Sequence, residues 1–238
     1  MIRRALIAAL VAGFAACLAV TAAQHAVVVP LILKAEEFEE ANAAKAAPAQ
    51  AEHQRGGAQT QAPVHPHEDE GWKPGDGIER IAYTALANLG FSVGFALLLV
   101  AAFTLAGREV DWKRGLVWGT AGFAVFALAP ALGLPPELPG TAGADLLPRQ
   151  AWWLGTVVAT ATGLALMVFG RGWQWKALGA VASIVPHLIG APHPPGGHGA
   201  GGVPADIAMG FVVLSLTVTF LFWVVLGAVS GAVYARVR

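Results

Sequence analysis

Imidazole and carboxylate side chains are the groups in this chain that could do chemistry. The seven histidines are His25, His53, His65, His67, His187, His193 and His198. Five cluster in two short segments: His65 and His67 in HPHEDE, beside Glu68, Asp69 and Glu70, and His187, His193 and His198 in PHLIGAPHPPGGHGAGG, which opens with Pro186. Nitrogen and oxygen donors of this kind suit borderline divalent cations such as Co, Ni or Zn. A thiolate cluster is excluded, because Cys17 is the only cysteine, and it also rules out an intramolecular disulfide framework. The candidate metal ligands are therefore His25, His65, His67, Glu137, His187, His193 and His198. No catalytic residue and no cofactor-binding residue stands beside them. GxxxxGK[ST], a dinucleotide fingerprint and HExxH are all missing, so neither ATP hydrolysis nor zinc proteolysis is indicated. No tightly bound cofactor is expected, and the ion reads as cargo.

Each of these residues also has a plain structural reading. His187, after Pro186, could be a hydrogen-bonded imidazole at a helix end, and His25 a buried neutral one. His193 and His198 lie on a Gly/Pro loop whose spacing matches no defined zinc motif. HPHEDE reads equally as a charged linker or a low-affinity capture segment, and His53 as linker. Glu137 or Asp145 could pair with Arg149, and Asp206, after Pro204, suits an N-cap. Thr156 and Thr160 share a helix face, where back-bonding is the default, and Asn88 and Ser92 pose the same choice.

The elements that must position these groups are apolar. Of the 238 residues, 56% are hydrophobic and only 13% charged, against about 25% charged in a soluble domain. Lipid is the solvent this composition fits. The zero formal charge gives nucleic acid no basic face to bind. A helix needs about 20 mostly apolar residues to cross a bilayer core. Residues 5–33, 81–106, 115–134, 151–170 and 208–234 meet that length, and the shorter 177–189 is a sixth candidate. The expected fold is all-α, a polytopic membrane helix bundle with six transmembrane helices. The expected organisation is a first transmembrane helix over 1–33, a His/Glu-rich loop over 34–80 and a five-helix membrane domain over 81–238. The loop's Ala, Pro, Gln, Glu and His cannot bury a core and should be largely disordered; proline and glycine make residues 187–206 a second loop.

Basic residues accumulate on the cytoplasmic side of membrane proteins. In a six-span fold Arg3, Arg4, Arg108, Lys113, Arg114, Arg171, Lys176, Arg236 and Arg238 share one side, so both termini are expected in the cytoplasm. Of the fifteen acids only Glu109 and Asp111 fall there, and every histidine falls on or near the outer side. The first segment also has the basic start and apolar middle of a cleavable signal, which would leave five spans. FAAC around Cys17 is a weak lipobox. The arginine pair and the continuation VVVPLIL fit a retained anchor better. Glycines and alanines at four-residue spacing, Gly90 and Gly94, Gly115 and Gly119, Gly155 with Ala159 and Gly163, and Gly227 and Gly231, predict close helix packing. Trp72, Trp112, Trp152, Trp153, Trp173 and Trp175 sit at span ends, as an interfacial belt requires.

RRALIAALVAGFAACLAVTAAQ, PLILKAEEFEE, LPPELPG, RQAWWLGTVVATATGLAL and PHLIGAPHP, in that order, resemble the CbtA-type probable cobalt transporter subunits of bacteria. The likeness covers nearly all of the chain outside 41–80. It implies a multi-pass protein of the bacterial inner membrane that supplies cobalt for cobalamin and works with a small CbtB-type subunit of one membrane helix. On the matching positions it brings forward His25, Glu36, Glu37, Glu137, Arg149, His187 and His193. A scaffold or metal-sensing accessory subunit that carries no flux is the alternative. An enzyme acting on lipid would require a lipid-sized cavity lined by Glu137, Arg149 and His187.

Overall fold

A computed structural model describes residues 2–56, 75, 77–107, 109–139, 141, 143–194 and 203–237; over 43–56 it gives the helix path alone. Among the described residues all regular structure is helical. Helix α1 is Ile2–Ala23 and α2 is Val29–Gly56, joined without a break by a π-helical turn, Gln24–Val28. α3 is Ile78–Ala106 and α4 is Trp112–Phe123; a second π-helical turn, Ala124–Leu128, leads into α5, Ala129–Ala131. α6 is Leu146–Phe169, α7 is Trp173–Ile189 and α8 is Ala205–Arg236.

Both π turns have the same cause. Val29 N–H bonds Gln24 O and Ala129 N–H bonds Ala124 O, one residue further back than in an α-helix, and the next residue in each case is proline. A proline inside a helix has no N–H and its ring crowds the carbonyl four residues back. Widening the preceding turn moves that carbonyl aside, so the helix runs through Pro30 instead of ending there. The first helix therefore continues past residue 33, the expected end of the span, to Gly56. EEFEEANAAKAA consists largely of strong helix formers, which accounts for the extension into the segment expected to be disordered. α7 likewise continues through Pro186 to Ile189.

Arg4 Nε donates to Tyr234 O, with its guanidinium over the Tyr234 ring, so the start of α1 and the end of α8 meet. Five of the helices are long and apolar enough to cross a membrane, Ile2–Asn42, Ile78–Ala106, Trp112–Ala131, Leu146–Phe169 and Ala205–Arg236. α7, with 17 residues, is the short one. Arg4, Arg114 and Arg236 mark one end of the bundle; Glu36, Glu137, His187 and Asp206 lie at the other.

Small residues set how closely these helices approach. Ala8, Ala9, Ala12 and Ala16 are fully enclosed, which seats α1 between α3 and α8. A Cβ on Gly13 would lie 2.8 Å from Val93 Cα on α3. Between α4 and α8, a Cβ on Gly115 would lie 2.2 Å from Gly227 O, and one on Gly119 2.2 Å from Trp223 O. Gly163 of α6 meets Gly179 O and Ser183 Oγ of α7 in the same way. The expected packing at Gly115, Gly119, Gly163, Gly227 and Gly231 is present. At Gly90, Gly94 and Gly155 nothing lies within 4 Å, and these face outward.

Candidate functional site

One set of polar groups inside the apolar bundle lies beside the first π turn. Cys17 and Thr21 of α1 and Gln24 of the π turn follow one another at helical spacing and face α3. Asn88 Nδ2 donates to Thr21 Oγ1 at 2.9 Å and to Gln24 Oε1 at 2.8 Å. Cys17 Sγ reaches Ala85 O at 3.5 Å and stands 4.0 Å from Thr21 Oγ1. His25 follows Gln24 in the π turn, and its Nδ1 is buried without a hydrogen-bond partner. From residue 24 to residue 17 the ladder descends roughly 10 Å at about 1.5 Å per residue. It stops above Gly13, where α1 and α3 touch.

This placement has a chemical consequence. A π turn offsets side chains from their α-helical positions, and such turns recur at functional sites. The Nδ1 atom of His25 is buried although the residue as a whole is only partly so, and polar groups at membrane depth generally serve ions or substrates. The hydroxyl, amide and thiol groups nearby are neutral donors that can replace waters around a cation. Asn88→Val removes both cross-helix bonds and is expected to destabilise the bundle by about 1–2 kcal/mol, read as a lower midpoint in thermal size-exclusion profiles with elution position unchanged.

Two ion pairs close the same end. Arg80 Nη2 meets Glu36 Oε1 at 2.9 Å and Arg149 Nη2 meets Glu137 Oε2 at 3.0 Å. Each joins the segment leaving one rising helix to the start of the next descending one. The candidate ligand Glu137 thus has one oxygen committed to Arg149, as pairing between them predicted. Side-chain exposure of 34% for Arg149 and 21% for Glu137 keeps the pair partly solvated. Arg149→Met should therefore cost no more than about 1 kcal/mol, and the double variant Arg149→Glu, Glu137→Arg should recover most of it in the same thermal assay.

His187 lies in the last turn of α7 and packs edge-on against Trp152, with ring centroids 5.9 Å apart. Trp152 Nε1 donates to Pro186 O at 3.2 Å, and its ring covers Gly133. Trp152 is thus more than a depth marker, because it ties α6 to the end of α7 and fixes the imidazole. His193 is exposed on the loop after Gly190. His65, His67 and His198 lie outside the described residues, as does Trp72. Asp206 is not the N-cap expected of it: Pro204 holds that position, and Asp206 falls in the first turn of α8 without a capping bond. Its charge there complements the helix dipole instead. Thr156 Oγ1 back-bonds to Trp152 O at 2.9 Å. Thr160 Oγ1 and Ser92 Oγ are buried without partners.

Among the described residues no three of His, Cys, Asp and Glu come together closely enough to hold an ion. His25 and His187 sit on different helices, and Glu137 is held by Arg149. His25 and Asn88 stand out in the sequence, whereas Cys17, Thr21 and Gln24 do not stand out as a set. Their spacing at 17, 21 and 24 along an apolar helix was the available signal.

An all-helical bundle with five helices of spanning length defines a multi-pass membrane protein. The chain belongs to the CbtA family: the family model described as "Probable cobalt transporter subunit (CbtA)" matches residues 2–235. No curated protein and no solved structure matches the chain.

Proposed function

We propose that this chain is the subunit through which Co²⁺ enters a bacterial cell across the inner membrane, supplying cobalamin synthesis, with the histidine- and acid-bearing end outward. All six passes cross the membrane on this reading, α7 as the shortest, and both termini are cytoplasmic. The acids at the outer end raise the local cation concentration. His187 and His193, with His65, His67 and His198 from the loops, take the ion there and replace part of its hydration shell. His25 receives it at the mouth of the bundle. The observation that carries the proposal is the buried Nδ1 of His25 without a protein partner, next in sequence to Gln24 of the Gln24–Asn88–Thr21–Cys17 ladder, in a family of cobalt transporter subunits. A small single-span CbtB-type subunit would complete the transporter.

Uptake of ⁵⁷Co²⁺ by cells expressing the chain with that partner tests the outer ligands. The double variant His187→Ala, His193→Ala should lower the initial rate by about tenfold or more. A wild-type rate in the variant removes both histidines from the route. The commitment of Glu36 and Glu137 to arginines favours a second reading, an accessory subunit that positions a partner. Reconstitution separates the two, because an accessory subunit binds the partner but adds no flux.

A further inference from the structure

A cavity of about 500 Å³ opens between α3, α4 and α6, floored by Trp223 of α8. It lies toward the opposite end of the bundle from His25, and the transport reading makes no use of it. Phe95 and Ala102 of α3, Val117 and Trp118 of α4 and Ala165 of α6 line its walls. Among the described residues Arg114 is the only charged one in the lining.

We propose that this cavity seats one acyl chain of an anionic phospholipid whose phosphate is held by Arg114. Three observations converge on that occupant. The first is depth. The lining runs from Phe95 to Ala106 on α3 and from Arg114 through α4 to Phe126 in the π turn after it, roughly 16–18 Å at about 1.5 Å per residue. That is half of a hydrocarbon core of about 30 Å, the depth of one leaflet. A transmembrane partner helix would need a seat through both.

Charge is the second. The guanidinium of Arg114 donates to the Glu109 carbonyl, and no carboxylate pairs with it among the described residues. Asp111, the nearest acid in sequence, is occupied as the N-cap acceptor of Arg114 N–H at 2.8 Å. An unneutralised guanidinium at the mouth of an apolar cavity is complementary to a phosphodiester, which it can hold bidentately. The third observation is level. Arg114 stands in the first turn of α4, two residues after the exposed Trp112, and tryptophans of this kind mark the headgroup layer. The volume falls in the range of ordinary ligand pockets, and basic pockets between membrane helices are known seats for anionic lipid headgroups.

The test uses the purified full chain, delipidated in detergent and titrated with phosphatidylglycerol or phosphatidylcholine of identical acyl chains by native mass spectrometry. Wild type should bind one phosphatidylglycerol about tenfold more tightly than phosphatidylcholine. Arg114→Gln should erase the preference, and Arg114→Lys should keep part of it, which separates charge recognition from the bond to Glu109. Ala165→Leu, which narrows the cavity without touching the charge, should weaken retention of either lipid. Equal affinity for the two lipids in wild type overturns the proposal, as does an unchanged preference in Arg114→Gln. Failure of phosphatidylglycerol to bind, together with loss of a partner subunit from Ala165→Leu, would assign the cavity to a protein helix and overturn it too. None of these readouts depends on cobalt flux.

Discussion

Replacing Gly227 with leucine removes the folded bundle. At this crossing α8 and α4 touch backbone to backbone: a Cβ on Gly227 would lie 2.3 Å from Gly115 O and 2.8 Å from Gly119 Cα. The obstacle is main chain in every case, so no rotamer change makes room, and the helices must separate along the whole contact. One added methyl in a packed interior costs about 1–3 kcal/mol. A leucine adds three more heavy atoms in the same place, and the cost should exceed the upper end of that range. Gly227→Ala is expected to lower thermal stability clearly, and Gly227→Leu to shift the protein to aggregate in fluorescence-detected size exclusion. Gly94→Leu is the matched control, since nothing lies within 4 Å of that position. It should elute and melt as wild type.

The second large effect concerns His25. Its Nδ1 is enclosed and unpartnered, so replacing the ring removes no hydrogen bond from that nitrogen, and the fold should tolerate the change. Transport should not. If the imidazole takes over part of the hydration shell of Co²⁺, its loss lowers ion affinity at the mouth by about tenfold to a hundredfold. His25→Ala should therefore reduce the initial rate of ⁵⁷Co²⁺ uptake by a comparable factor at subsaturating cobalt, while membrane abundance and melting midpoint stay near wild type. Raising external cobalt should restore part of the rate. A structural histidine would show the reverse pattern, a lower melting midpoint with uptake per folded molecule unchanged.

Which features the sequence disclosed follows from how local each one is. Apolar length is a property of a single segment, and residues 81–106 and 151–170 lie close to α3, Ile78–Ala106, and α6, Leu146–Phe169. Four-residue glycine spacing is local too, but use of the resulting face depends on another helix. Gly115, Gly119, Gly227 and Gly231 found one, whereas Gly90 and Gly94 did not. Gly13 and Gly179, with no glycine at that spacing, prove to be contact points as tight as any. Pro30 read as an interruption because a proline usually ends a helix; the π turn that absorbs it is a backbone adjustment with no composition of its own. His25 stood out as a polar residue in an apolar run. The bonds from Asn88 to Thr21 and Gln24 span 67 and 64 positions of sequence, and such pairs become visible only when α1 and α3 are seen side by side. The orientation of Trp152 toward Pro186 and His187 is hidden for the same reason.

Cobalt K-edge X-ray absorption on the purified chain with its partner, loaded with Co²⁺, tests the role of the His25 imidazole most directly. The account predicts imidazole back-scattering in the cobalt environment of wild type that weakens in His25→Ala. The same spectrum in both proteins, or one of a fully hydrated ion in wild type, would contradict it.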